Sequence, residues 1–183
     1  MSAVYVTGNP HKAEFFAKMT QLDIPHVKID VEEIQSLFLK EIVEHKARQA
    51  YSIVKKPVII EDTKLTFNAL GELPGSFIKW FLQELEAQGL CDLLTGYEDR
   101  SARAGAAIAY YDGLKMKIFE RELGGIIVKK PAGSSGFGWN RIFVPDGAQT
   151  TLGQMSEDEF KKWYGLVKPF DELADFIQSI DNK

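Results

Sequence analysis

An α/β fold is predicted, with helices on the faces of a β-sheet and a second, hairpin-rich lobe following the first. Apolar runs of strand length alternate with helical stripes as far as Asp62, and the stretch from Ala102 to Val128 reads as strands around an Asp-Gly turn. A length of 183 residues suffices for one domain over residues 1–183, with a real core and a cleft between two lobes.

The elements follow in order. "AVYV" from Ala3 reads as a buried strand, and Asn9-Pro10 supplies an N-cap and first-turn proline for a helix striped by Phe15, Phe16, Met19 and Leu22. "HVKIDV" from His26 is a second strand, Leu39 to Val54 a second helix, and "PVII" a third strand ending at Glu61-Asp62. Pro74 to about Gly96 is helical, and Asp112-Gly113 marks a hairpin between the strands that come next. "GSSGFGWN" is a glycine-rich loop, "RIFV" a further strand, Ser156-x-x-Glu159 a capping box, and a last helix from Pro169 turns Leu173, Phe176, Ile177 and Ile180 inward.

Composition removes several classes of function. With 22 basic against 26 acidic residues and a net charge of −4, the chain has no general attraction to polyanions, so a nucleic-acid partner is not expected. It opens on a strand-like run without a basic-then-apolar leader and lacks the roughly 18 apolar residues of a membrane helix, which predicts a soluble cytoplasmic protein with no membrane partner. Cys91 is the single cysteine, and its neighbours Leu90, Leu93 and Leu94 place it in the core. Three histidines, none close to another, argue against zinc.

Five sites along the chain could carry chemistry. In "TGNPHK", Thr7 to Lys12, the positive end of a helix and a lysine could hold an anion; an ordinary capped helix with a solvated lysine fits the same residues. On the second helix Leu39, Ile42, Val43, Ala47, Ala50, Ile53 and Val54 share a face, and Lys46 falls in their phase. Its ammonium must either snorkel to water or meet an anion. Glu61 and Asp62 stand at a strand's carboxyl end, where open α/β sheets bind ligands, and with Glu33 in "VEEIQS" they would suit a hard divalent cation; Asp62-Thr63 is equally a turn. In "SGFGWNRIF", Phe137 and Trp139 alternate with Gly136 and Gly138, either exposing rings for a stacked base or folding them onto the core, and Lys79 in "LPGSFIKWF" is either functional or solvated.

Taken together, "TGNPHK", "EIQ" at Glu33, Lys46, "EDTKLTFNALGELPGSFIKWF" from Glu61, "FGWN" from Phe137, "IFVPDG" from Ile142, and Thr151 and Met155 make the chain resemble the Ham1-like inosine triphosphate pyrophosphatase family over nearly its whole length. The resemblance implies a two-lobed α/β fold with a long mixed sheet flanked by helices and a nucleotide cleft, and a homodimer. It implies hydrolysis of nucleoside triphosphates, chiefly those of deaminated purines, to monophosphate and pyrophosphate with magnesium, or manganese in its place. By position Thr7, Gly8, Asn9 and Lys12 would hold phosphates, Glu33 and Asp62 the metal and the attacking water, Lys46 and Lys79 the triphosphate charge, and Thr63, Phe137, Gly138, Trp139 and Asn140 the rest of the nucleotide, with Phe137 stacked on the purine.

Two departures bear on the base. Asn140 stands where the family has aspartate, and the family's lysine and Ser-His-Arg fall, without gaps, on Phe160 and on Tyr164-Gly165-Leu166. An altered base preference, or a non-catalytic nucleotide-binding relative, is the alternative reading. Lys168 is the candidate to replace the missing arginine, without its planar fork.

Overall fold

A computed structural model describes residues 3–136 and 138–181. Its strands are β1 (Val4–Val6), β2 (His26–Val27), β3 (Val58–Phe67), β4 (Pro74–Gly75), β5 (Ser101–Tyr111), β6 (Met116–Ile127) and β7 (Phe143–Pro145). The helices are α1 (Pro10–Thr20), α2 (Leu39–Val54), α3 (Ile78–Asp92), α4 (Glu157–Val167) and α5 (Phe170–Asp181). The strands form one sheet in the order β2-β1-β3-β5-β6-β7, with β4 on β3. It is mixed: β1 runs parallel to β2 and β3, while β4 and β7 are antiparallel to their neighbours. The expected α/β class with a mixed, helix-flanked sheet is what the chain adopts.

Two compact units divide the chain. The first comprises residues 1–62, 106–120 and 168–183, the second 63–105 and 121–167. In the first, one core joins Val4 and Val6 of β1, Val58 and Ile60 of β3 and Ala107 and Ala109 of β5 to the α2 stripe Leu39, Ile42, Val43, Ala47 and Ala50. A second core gathers Tyr5, Ile59, Ile108, Phe16 of α1 and Phe170, Leu173 and Ile177 of α5. Successive residues of β1 and β3 therefore enter different cores, as the two-residue period of a strand requires. In the second unit the Arg100 guanidinium donates to the carbonyls of Cys91, Leu94, Ile127 and Val128, tying the end of α3 to the end of β6. Cys91 is buried, as expected.

Some expectations need correction. The strand read from His26 is paired only over His26–Val27, and Ile53 of the α2 stripe is 58% exposed. The stretch from Pro74 opens as the short β4 and turns helical at Ile78, with α3 kinked at Glu86, which has φ of 57°. The third strand does not end at Glu61-Asp62 but runs on to Phe67, because β4 supplies a new partner beside Leu65 and Thr66. The local reason for expecting a site survives: β1 pairs with β3 only as far as Val6 opposite Ile60, so Glu61 and Asp62 follow directly on the parallel section.

Candidate active site

The loop after β1 is shaped by Asn9. Its Oδ1 accepts from the His11 and Lys12 amides at 3.0 and 3.4 Å, its own amide donates to Thr7 Oγ1 at 3.1 Å, and Pro10 occupies the first helical position. The predicted cap is there, and it changes the anion-site reading: the amides of His11 and Lys12 are already occupied by the cap, and Pro10 has none to offer. What the loop presents to an anion is the Lys12 ammonium, the exposed backbone at Gly8, and the Thr7 hydroxyl and Asn9 side-chain N–H donors that the cap does not use.

Lys46 does meet anions, and they are the protein's own. Its ammonium donates to Glu33 Oε1 at 2.6 Å and to Asp62 Oδ2 at 2.7 Å. Burial alone would lower the ammonium's pKa, but the Asp62 charge and hydrogen bond, aided by Glu33, hold it above its ordinary value. The helix phase that placed Lys46 among apolar residues and the strand phase that turned Asp62 toward α2 converge on this bridge, and Glu33 arrives from the loop after β2.

Glu61 takes no part in it. Strand alternation turns its carboxylate the other way, into a buried pocket where it accepts from Lys168 Nζ at 2.5 Å and from the Tyr5 hydroxyl at 3.0 Å, with Lys12 Nζ at 3.6 Å. Glu61 and Asp62 thus do not form the paired cation site that their adjacency suggested. Burial pushes the Glu61 carboxyl up, but the charges of Lys168 and Lys12 and the hydrogen bonds of Lys168 and Tyr5 hold it below the usual carboxylate range. Lys168 is 1% exposed, so it is committed to Glu61 and is no substitute for a base-reading arginine. Sequence reading missed this cluster because its members lie 107 residues apart.

The chemistry of the donor set fits a divalent cation in one respect. Glu33 and Asp62 both reach a single ammonium, so two carboxylate oxygens converge on one cation, and magnesium commonly takes one or two protein carboxylates with phosphate oxygens and water completing its shell. Among the described residues there is no group of three or more carboxylate, histidine or cysteine ligands.

In the second unit the remaining expected residues are distributed as follows. Thr63 lies in β3 and is half-buried, and Lys79 lies in the first turn of α3 with its ammonium 5.1 Å from the Trp80 ring. Phe137 falls outside the described residues. Trp139 does not display its ring: it is 6% exposed and packs edge-on against Phe143, with Tyr164 beyond. Asn140 is 1% exposed, and its Nδ2 has no hydrogen-bond partner among the described residues. A Cβ on Gly136 would fall 2.3 Å from that nitrogen, so a bare backbone with φ of 77° accommodates it. At the positions expected to hold Ser-His-Arg, Tyr164 is buried and stacked on Phe160 at 4.9 Å, while Leu166 is 44% exposed.

Fold and site together define an α/β protein with a lysine-bearing loop beside a lysine-bridged pair of carboxylates. A family model described as the Ham1 family matches residues 3–176. The chain is 41% identical over 182 residues to an inosine triphosphate pyrophosphatase of Yarrowia lipolytica, covering 97% of this chain and 96% of that one. It is 36% identical over 185 residues to an inosine triphosphate pyrophosphatase of Schizosaccharomyces pombe, covering 99% and 97%. Among solved structures, a HAM1 protein from Coxiella burnetii matches with a TM-score of 0.85 at 24% identity, covering 98% of this chain and all of that one. The Ham1 protein of Staphylococcus aureus matches at 0.82 and 23%, covering 97% and 99%. This chain belongs to the Ham1 family. No described helix is long and apolar enough to cross a membrane.

Proposed function

We propose that the protein is a magnesium-dependent nucleoside triphosphate pyrophosphatase, hydrolysing the triphosphates of deaminated purines (ITP, dITP, XTP) to monophosphate and pyrophosphate. The observation that carries this reading is near-full-length similarity to two proteins named for that activity, in a chain that bridges Glu33 and Asp62 through Lys46. In this reading Thr7, Gly8, Asn9 and Lys12 grip phosphate oxygens, and Glu33 and Asp62 hold the metal, for which manganese can substitute. Bound there, the metal neutralises phosphate charge and draws electrons from phosphorus. Asp62 accepts a proton from the attacking water as its oxygen bonds the α-phosphorus, while the bond from that phosphorus to the β-bridging oxygen breaks and pyrophosphate departs. Lys46 fixes the orientation of both carboxylates, and Lys79 offsets negative charge on the triphosphate. Thr63, Phe137, Gly138 and Asn140 serve the nucleoside end, with Phe137 stacking on the base; the buried Trp139 supports that loop from beneath. One domain over residues 1–183, a cytoplasmic location and a homodimer complete the reading, the last testable by light scattering on the eluting protein.

A second reading concerns the base. A site that favours hypoxanthine over adenine needs donors aimed at the 6-oxo oxygen, and mismatched buried polar groups are what make such selection strong. Here the stacked Tyr164 and Phe160, the apolar Leu166 and an amide at Asn140, able to donate or accept, stand where charged and polar groups were expected. Weakened discrimination between inosine and adenosine triphosphates is therefore expected. Pyrophosphate release and kcat/KM across inosine, xanthosine, guanosine and adenosine triphosphates test both readings. Release from inosine triphosphate supports the first and shallow selectivity the second; absence of release from all four would leave a nucleotide-binding relative.

A further inference from the structure

The Lys168–Glu61 pair plays no part in the mechanism above, yet it lies directly beneath the loop that carries Lys12. Lys168 sits in the bend between α4 and α5, just ahead of Pro169, and is 1% exposed. Glu61's side chain is 2% exposed and Lys12's 17%. One carboxylate thus faces two ammonium groups at unequal distances, 2.5 Å to Lys168 and 3.6 Å to Lys12, while Tyr5 occupies its other oxygen.

The inequality matters because buried charges attract strongly. Were Lys12 the sole cation near Glu61, the two would close into a pair, cancel one another and leave no net charge for an incoming anion. With Lys168 on the carboxylate, the cluster carries a net charge of plus one, and that excess sits on Lys12, the more exposed of the two lysines. The geometry points to Lys168 as a positioning residue that neutralises Glu61 and so keeps the Lys12 charge available for phosphate. This rests on the reading that the loop after β1 binds phosphates.

Titration calorimetry with inorganic pyrophosphate and magnesium tests it, together with melting temperatures. Lys168→Met should raise the Kd for pyrophosphate about tenfold, since Glu61 then captures Lys12, and Lys168→Arg should stay within about threefold of wild type. The double variant Glu61→Gln/Lys168→Met removes both charges, leaves the excess on Lys12, and should recover binding to within about threefold of wild type. A role limited to holding the fold predicts instead a lower melting temperature for Lys168→Met with its pyrophosphate affinity unchanged below that temperature, because a lone buried carboxylate destabilises the fold without altering Lys12. If Lys168→Met does not fold, the double variant decides: wild-type-like affinity supports the inference and a tenfold loss overturns it. Unchanged affinity in a folded Lys168→Met overturns it too, with the functional reading intact. A wild-type protein that neither binds pyrophosphate nor releases it from inosine triphosphate overturns that reading and this inference with it.

Discussion

Lys46 breaks the rule that a helix's inward stripe is apolar, and the break is explained by what it touches. Its ammonium stands between Glu33 and Asp62 and offsets the repulsion of two like charges. Lys46→Met should therefore lower the melting temperature in EDTA by about 3–8 °C, fewer degrees than loss of a fully buried pair because both carboxylates keep some contact with water. Adding magnesium should restore much of the loss, and scanning fluorimetry with and without the metal reads it directly. Cys91 gives a residue-scale test of the core: burial pushes its thiol up to about 11. A folded-state pKa above the ordinary value leaves only about a thousandth of the thiol ionised at pH 8, so iodoacetamide should modify Cys91 at least about a hundredfold more slowly in the native protein than in urea. Equal rates would show that the thiol is exposed.

Among the elements, the β5–β6 hairpin carries the clearest local constraint. Asp112 Oδ1 accepts from the Leu114 and Lys115 amides at 2.9 and 2.7 Å, and Gly113 follows with φ of 97°. A Cβ there would fall 2.3 Å from the Tyr51 ring and hydroxyl of α2. Gly113→Ala should cost about 2 kcal/mol or more through backbone strain and this contact, lowering the melting temperature by about 4–8 °C. A shift under a degree would show that Tyr51 swings aside and that the turn tolerates a side chain. Elements with strong local signals were legible in the sequence: the Leu39–Val54 helix by its stripe, the α1 start by Asn9-Pro10, and the α4 start by Ser156 and Glu159, whose reciprocal hydrogen bonds are present. β3 was read too short because nothing local to Glu61-Asp62 reveals that β4 will pair beyond them. The same blindness hid the Lys168–Glu61 pair and the burial of Trp139, which depend on partners distant in sequence. Period-two alternation, by contrast, already required Glu61 and Asp62 to face apart.

For the whole molecule, a net charge of −4 provides no general attraction to polyanions, so the proposed phosphate binding rests on locally placed lysines. The Lys12 loop and the Lys46 bridge both belong to the first unit, whereas Lys79, Trp139 and Asn140 belong to the second. The family itself was legible because its motifs are spread along nearly the whole chain. The decisive measurement is the product pattern from inosine triphosphate with magnesium, for the wild type and Asp62→Asn, followed by phosphorus NMR. Pyrophosphate and inosine monophosphate should appear in equal amounts without orthophosphate, and Asp62→Asn, still folded, should slow their release by about a thousandfold. Orthophosphate with inosine diphosphate, or near-normal pyrophosphate release by Asp62→Asn, would contradict the assignment of Asp62 as the group that takes the water's proton.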